Sequence, residues 1–155
     1  MNKLKYIVFL LVALTLNSCG PYNFTGTGPI DAKTFQVNYF QNNAPLIEPG
    51  IERNFTIKLQ EILQNQTNLN LVISSGDLLY EGEITQYSIT PMTATADQKA
   101  AQSRLSLTVN VRFVNKNKEA DNFEKNFSFF VDFDASENPT GARLNTLLDE
   151  IFTRI

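Results

Sequence analysis

Two stretches in the second half of the sequence alternate between apolar and polar residues along their length. They cover residues 103–115 and 123–133, and a segment rich in Asn, Lys and Glu separates them. Because β-strand side chains alternate between two faces, the pattern predicts a hairpin of two strands, each with one apolar face. The apolar positions are Leu105, Leu107, Val109, Val111 and Phe113, then Phe123, Phe127, Phe129, Val131 and Phe133. Another apolar layer must cover this face.

Two further stretches repeat their apolar residues every three or four positions, which is the spacing of an amphipathic helix. The first follows Pro49 and is predicted to end between Asn65 and Asn68. The second follows Asn138 and Pro139, which suit a helix cap and a first helical turn. The apolar stripes are Ile51, Phe55, Leu59, Ile62 and Leu63, then Leu144, Leu147, Leu148, Ile151 and Ile155. These helices are predicted to cover the sheet.

A third long strand is predicted over residues 78–90, where the alternation changes phase. Apolar residues occupy even positions up to Ile84 and odd positions from Tyr87 onward. Since both sets need the same face of the sheet, one extra residue must interrupt the strand. The sequence therefore predicts a β-bulge near Thr85 or Gln86.

The first strand is predicted over residues 34–40, with Phe35, Val37 and Tyr39 on one face. The predicted order is then β-α-β-β-β-α. The simplest way to bury every apolar face is an α+β fold, with two helices packed on one face of a mostly antiparallel four-stranded sheet. The opposite face would meet water or a partner.

The N-terminus carries a leader that determines the compartment. Lys3 and Lys5 precede an apolar run over residues 7–16. This run is too short for a membrane-spanning helix, which needs about 20 residues. The pattern predicts a signal peptide over residues 1–18, followed by a tether over 19–33. The rest of the chain, to residue 155, is predicted to form one domain.

The end of the leader resembles a bacterial lipoprotein signal, with Leu16 three positions and Ser18 one position before Cys19. The resemblance implies that Cys19 is lipidated, and two or three acyl chains hold a protein on a membrane permanently. Gly20 stands where an Asp would imply retention in the inner membrane, so the outer membrane is expected. The alternative is an ordinary signal peptide followed by a spare thiol.

Composition excludes several classes of function. The chain has no histidine and a single cysteine, so it can form neither a Ser-His-Asp triad nor an internal disulfide. A net charge of −3 without a basic run gives no basis for nucleic-acid binding. The carboxylate pairs Asp132/Asp134 and Glu81/Glu83 are too sparse for a metal or glycosidase site, and we interpret them as exposed polar faces. We predict no enzyme and no cofactor.

The chain from Cys19 onward resembles the lipopolysaccharide-assembly lipoproteins of the LptE type. Most telling is a run of Asp77 and Leu78 followed, after two residues, by Glu81, Gly82, Glu83 and Ile84. The other residues that carry the resemblance are Cys19, Gly20, Tyr22, Phe24, Thr25, Gly26; Asn42 to Leu46; Gln66 to Leu69; Gly76 and Tyr87; Arg104, Leu105, Val109 to Phe113; Phe123, Glu124, Phe127, Ser128 and Asp132 to Asp134.

This resemblance implies a protein lipid-anchored in the outer membrane and facing the periplasm. It implies two helices on a four-stranded sheet, and two partners besides the membrane. One is a β-barrel translocon, which the protein would plug and help to assemble, and the other is lipopolysaccharide, which the barrel delivers to the outer leaflet. The alternative is a periplasm-facing lipoprotein that binds another envelope ligand, such as a glycan or peptide.

Two groups of site residues follow. Arg104 and Arg112 fall on the polar face of the strongest strand, with Lys116 and Lys118 in the next turn. Guanidinium groups suit phosphate binding, so a lipopolysaccharide contact is predicted there, against the alternative of solvated strand charge. Residues predicted to contact the barrel are Tyr22, Phe24, Asp77, Glu81, Gly82 and Glu83.

Overall fold

The computed structural model describes residues 31–92 and 101–155. Its strands are β1 (Thr34–Val37), β2 (Gln41–Asn42), β3 (Asn70–Leu71), β4 (Leu78–Met92), β5 (Gln102–Asn115) and β6 (Phe123–Asp134), and its α-helices are α1 (Ile51–Gln66) and α2 (Gly141–Arg154). A short 3-10 helix, Glu119–Asp121, lies in the turn before β6. The signal peptide, Cys19 and the predicted barrel contacts Tyr22 and Phe24 lie outside the described residues.

The strands form one mixed sheet in the order β3-β1-β4-β5-β6, and β2 also pairs with β4. Strands β1 and β2 run parallel to β4, whereas β4, β5 and β6 are antiparallel. The α+β class is confirmed, but the four-stranded, mostly antiparallel sheet and the order β-α-β-β-β-α are wrong. Strands of two residues are too short to show alternation. The connection through α1 is a crossover, which makes β1 and β4 parallel.

The predicted hairpin and the predicted bulge are both confirmed. Strands β5 and β6 pair continuously from Gln102 opposite Asp134 to Phe113 opposite Phe123. In β4 the register shifts between Ile84 and Gln86. The extra residue brings Ile84 and Tyr87 to the same face, and both are buried.

Both helices pack on one face of the sheet, which we call the inner face. Along β5 the buried side chains are at odd positions, and α2 contributes a matching stripe. The ring of Phe55 on α1 lies edge-on to Phe40 and Phe152, with centroids 4.9 and 5.4 Å away. Fully or almost fully buried core residues are Phe35, Phe40, Ile51, Phe55, Ile84, Leu105, Leu107, Val109 and Ile151.

Strand β1 is shorter than predicted, because the chain leaves the sheet after Val37. Tyr39 is 54% exposed, whereas Phe40 is completely buried. The backbone N–H of Phe40 donates to Oγ1 of Thr56, at 3.1 Å, and its ring packs against Phe55. The prediction that Tyr39 lies on the apolar face is therefore wrong, since the turn gives that place to Phe40.

The predicted apolar stripes and the predicted end of the first helix are confirmed, whereas the predicted start of the second helix is wrong. Helix α1 begins at Ile51 and ends at Gln66, within the predicted range 65–68. Helix α2 begins at Gly141 after Thr140, so Asn138 and Pro139 precede it and do not form its cap and first turn. In the described ranges neither helix combines the length and the apolar character that a membrane crossing requires.

Candidate functional site

The face of the sheet opposite the helices, which we call the outer face, carries matched polar pairs between β5 and β6. The pairs are Arg104 with Asp132, Thr108 with Ser128, Asn110 with Asn126, and Arg112 with Glu124. Each pair joins residues directly opposite in the antiparallel register. Cross-strand pairs of this kind stabilise a sheet. Because the members are polar or of opposite charge, they also make the outer face polar and largely charge-balanced.

Arg104 lies on the outer face, as the alternation predicts. Its Nε and Nη2 donate to the two carboxylate oxygens of Asp132, at 2.7 and 2.8 Å. Its guanidinium also lies over the ring of Phe130, 3.6 Å from the centroid. The hydrogen bonds raise the pKa of Arg104 and lower the pKa of Asp132. The guanidinium is therefore held in place by two neighbours.

The other three predicted phosphate contacts also have acidic neighbours. Arg112 donates to Glu81 at 2.9 Å and to Glu124 at 3.3 Å. Lys118 is 2.7 Å from Asp121. The charge of Lys116 contributes to lowering the pKa of the nearby Asp77, after the larger effect of hydrogen bonds.

The four cations do not converge on one point. Arg104 and Arg112 are eight residues apart on one strand, which corresponds to about 27 Å. A single phosphate cannot touch both of them. Arg112 lies toward the end of β5 that leads into the turn with Lys116 and Lys118, whereas Arg104 lies near the opposite end of β5.

Glu81, Gly82 and Glu83 line a polar depression of about 330 Å³ at the break between β1 and β2. One oxygen of Glu81 accepts a hydrogen bond from Asn38 at 2.9 Å, and Glu83 accepts one from Asn43. Because β1 and β2 do not form one continuous strand, the three predicted barrel contacts Glu81, Gly82 and Glu83 lie together in one open depression.

The fourth described barrel candidate, Asp77, lies outside this depression and holds the start of the sheet together. Its carboxylate accepts hydrogen bonds from the backbone N–H groups of Lys33 and Thr34, at 2.9 and 3.0 Å. Its own N–H donates to Oγ1 of Thr34 at 3.0 Å. The two backbone hydrogen bonds lower the pKa of Asp77. Sequence alone gave no signal for this contact, which depends on residues 43 and 44 positions away.

The two carboxylates that suggested a metal or glycosidase site have separate partners. Asp132 pairs with Arg104, while Asp134 accepts hydrogen bonds from the backbone and hydroxyl of Ser136, which lower its pKa. Among residues 31–92 and 101–155, no three metal-ligating side chains come together. Their arrangement is that of paired surface groups.

Comparison with known proteins identifies the fold and the family. A hypothetical protein from Chlamydia trachomatis superposes with a TM-score of 0.54 at 8% identity, covering 79% of this chain and 92% of that one. The rare lipoprotein B from Shewanella oneidensis gives 0.43 at 15% identity, covering 77% and 86%. A PelC dodecamer from Paraburkholderia phytofirmans gives 0.49 at 7% identity, covering 79% and 84%.

At these identities, the similarity to the Chlamydia protein is evidence for the fold alone. No curated protein matches the sequence. The family model for lipopolysaccharide-assembly proteins, LptE, matches residues 32–155. This range includes every described strand and helix. The chain therefore belongs to the LptE family of lipopolysaccharide-assembly proteins.

Proposed function

We propose that this protein is a lipoprotein of the outer membrane that assembles with a β-barrel translocon, plugs its lumen and supports the delivery of lipopolysaccharide to the outer leaflet. The observation that carries the proposal is the family match over the whole folded domain. Lipid on Cys19 would hold the domain on the periplasmic side of the membrane. The protein would act by binding, without catalysing a reaction.

The chemistry of the outer face supports a place inside a barrel. The lumen of a membrane barrel is polar, so a plug presents polar groups to it. The ladder from Arg104–Asp132 to Arg112–Glu124 has this character. An apolar outer face would instead favour a lipid-facing position.

The first test is a pull-down of the lipidated protein from its own outer membrane in mild detergent, with partners identified by mass spectrometry. We expect one large barrel protein in stoichiometric amount. Glu83→Ala should lower its recovery if the depression at Glu81 to Glu83 meets the barrel, while Glu61→Ala on helix α1 serves as the matched control. Recovery of the lipoprotein alone, or with a glycan or peptide and no barrel, would favour the alternative function.

We also propose that lipopolysaccharide phosphates contact the cationic positions Arg104, Arg112, Lys116 and Lys118. Because these cations have carboxylate neighbours, a phosphate has to displace or share those partners. Such exposed pairs contribute only about 0–1 kcal/mol each, so the exchange is feasible. The contact at the hairpin end, with three of the four cations, is expected to be the stronger one.

Replacing all four cations by Ser should weaken binding of purified lipopolysaccharide several-fold while circular dichroism shows an unchanged fold. A double variant on the helices, Lys58→Ser with Arg143→Ser, removes two paired cations and provides the control. Equal binding by the fourfold variant and the wild type would exclude this contact, and would leave the barrel proposal standing.

A further inference from the structure

Strand β6 is the last strand of the sheet on its side, and its outer edge is free in the described chain. It spans 12 residues, Phe123–Asp134, and pairs with β5 alone. Five of these residues are Phe, and Phe123 and Phe130 are 42% and 45% exposed. The strand contains neither Pro nor Gly, and its pairing has no bulge. A long, regular, apolar edge of this kind attracts another strand unless it is covered.

The hydrogen bonds show which backbone groups face this free edge. The N–H of Ala135 donates to the carbonyl of Ala101 at 3.0 Å, one step beyond the pair of Asp134 with Gln102. Bonded and non-bonded pairs alternate in an antiparallel ladder, so odd-numbered residues of β6 bond to β5. The N–H and C=O groups of even-numbered residues, among them Asn126, Ser128 and Phe130, therefore point outward.

The other side of the sheet is protected. Its last strand, β3, is only two residues long, and beyond β1 and β2 the edge belongs to β4. Strand β4 is covered by β1 and β2 up to Ile84, and the bulge follows. Beyond the bulge, outward amides belong to odd-numbered residues, and one of these is Pro91, which has no N–H to donate. Bulges, prolines and charged side chains are among the devices by which proteins blunt an edge. Strand β6 has no bulge and no proline, and its charged residues, Glu124, Lys125, Asp132 and Asp134, lie toward its two ends. Residues 126–131 therefore form an unprotected stretch of edge.

We infer that the barrel protein adds an extended segment to the free edge of β6, extending the sheet by one strand. This inference rests on the proposed function. In this mode of recognition, backbone hydrogen bonds supply affinity and alternate side chains supply specificity. The segment would bond to the outward groups of Asn126, Ser128 and Phe130, and would place apolar side chains beside the exposed Phe rings.

The charges of β6 disfavour a second copy of this chain as the occupant. Two copies would pair antiparallel about a twofold axis. Registers centred on Ser128 or Phe129 would place Glu124 opposite Asp132 or Asp134 on the same face. Like charges directly opposite each other destabilise a strand pair. A different chain, with neutral or basic residues on that face, avoids this repulsion.

The test uses two variants of one residue in the full lipidated protein. Ser128→Pro removes an outward N–H that makes no bond to β5, and Ser128→Ala keeps this N–H while losing the same 3.0 Å hydroxyl contact with Thr108. Ser128→Pro removes one hydrogen bond to the added strand and weakens the hydrogen bonds next to it. Recovery of the barrel protein should therefore fall by about tenfold. The Ser128→Ala variant should recover it at the level of the wild type.

A second measurement on the wild type keeps the inference testable if Ser128→Pro does not fold. Amides of the even-numbered β6 residues should exchange hydrogen quickly in the isolated lipoprotein and slowly in the purified complex with the barrel. The outward amides of Tyr87 and Ile89 on β4 provide the control and should change much less.

Each outcome is decisive. If the barrel is recovered equally with both Ser128 variants, or the β6 amides exchange equally fast in the complex, strand addition is overturned and the proposed function stands. Protection of β6 in a dimer of the lipoprotein alone would assign the edge to a second copy and also overturn the inference. Failure to recover any barrel with the wild type would contradict the proposed function itself.

Discussion

Replacing Phe40 by Ala should lower the free energy of unfolding by about 4 kcal/mol, as expected for a large buried aromatic side chain. The side chain is completely buried, and its ring lies 4.9 Å from that of Phe55. Its removal would leave a cavity between the sheet and helix α1 and would take one ring from the chain of Phe40, Phe55 and Phe152. Urea unfolding followed by circular dichroism measures the change.

The neighbouring residue provides the control. Tyr39→Ala should cost less than about 1 kcal/mol, because surface substitutions rarely have larger effects. Its ring is 54% exposed, and its hydroxyl makes one hydrogen bond, at 3.2 Å to Glu52. Strict alternation along residues 34–40 gives the opposite order of effects. A larger loss for Tyr39→Ala than for Phe40→Ala would therefore show that β1 continues straight and that the turn at 38–40 is wrong.

Gly82→Ala should destabilise the fold by about 3 kcal/mol, at the upper end of the usual cost of overpacking. A Cβ at this position would be 2.0 Å from the carbonyl oxygen of Asn110 and 2.9 Å from the ring of Phe40. The ring can shift, but the carbonyl belongs to the paired strand β5. Strands β4 and β5 would have to separate locally, and the depression lined by Glu81 and Glu83 would be distorted.

A second glycine separates this contact from general effects of substitution. Gly50 has a φ of 84°, and a Cβ added there would meet nothing within 4 Å. Asn tolerates such a left-handed conformation, so Gly50→Asn should change stability by less than about 1 kcal/mol. Thermal unfolding of both variants makes the comparison. If Gly82→Ala were as stable as Gly50→Asn, the close approach of β4 to Asn110 would be refuted.

Phe40 and Gly82 are two parts of one arrangement that sequence patterns do not reveal. The chain turns out of the sheet after Val37 and places the Phe40 ring beside a residue that has no side chain. The glycine is visible in the sequence, and so is the phenylalanine. These two residues are 42 positions apart in the chain, so no local repeat in the sequence can reveal their contact.

The candidate site also combines features that the sequence predicts with features that only the fold reveals. Alternation along residues 103–115 was sufficient to place Arg104 and Arg112 on the polar face of a strand. It could not show that Asp132, Glu81 and Glu124 would meet these guanidinium groups, because those pairs depend on which strands are neighbours and in what register. The depression at Glu81 to Glu83 likewise depends on the break between β1 and β2.

The sequence by itself determined the elements whose signals are local and long. The β5–β6 hairpin, the bulge at Thr85 and the two apolar helix stripes all follow from periods that repeat over many residues. Only the tertiary structure decided the parallel pairing of β1 with β4, the short strand β2 and the burial of Phe40 in place of Tyr39. These features depend on contacts between distant segments, where the energy of packing overrides a short local pattern.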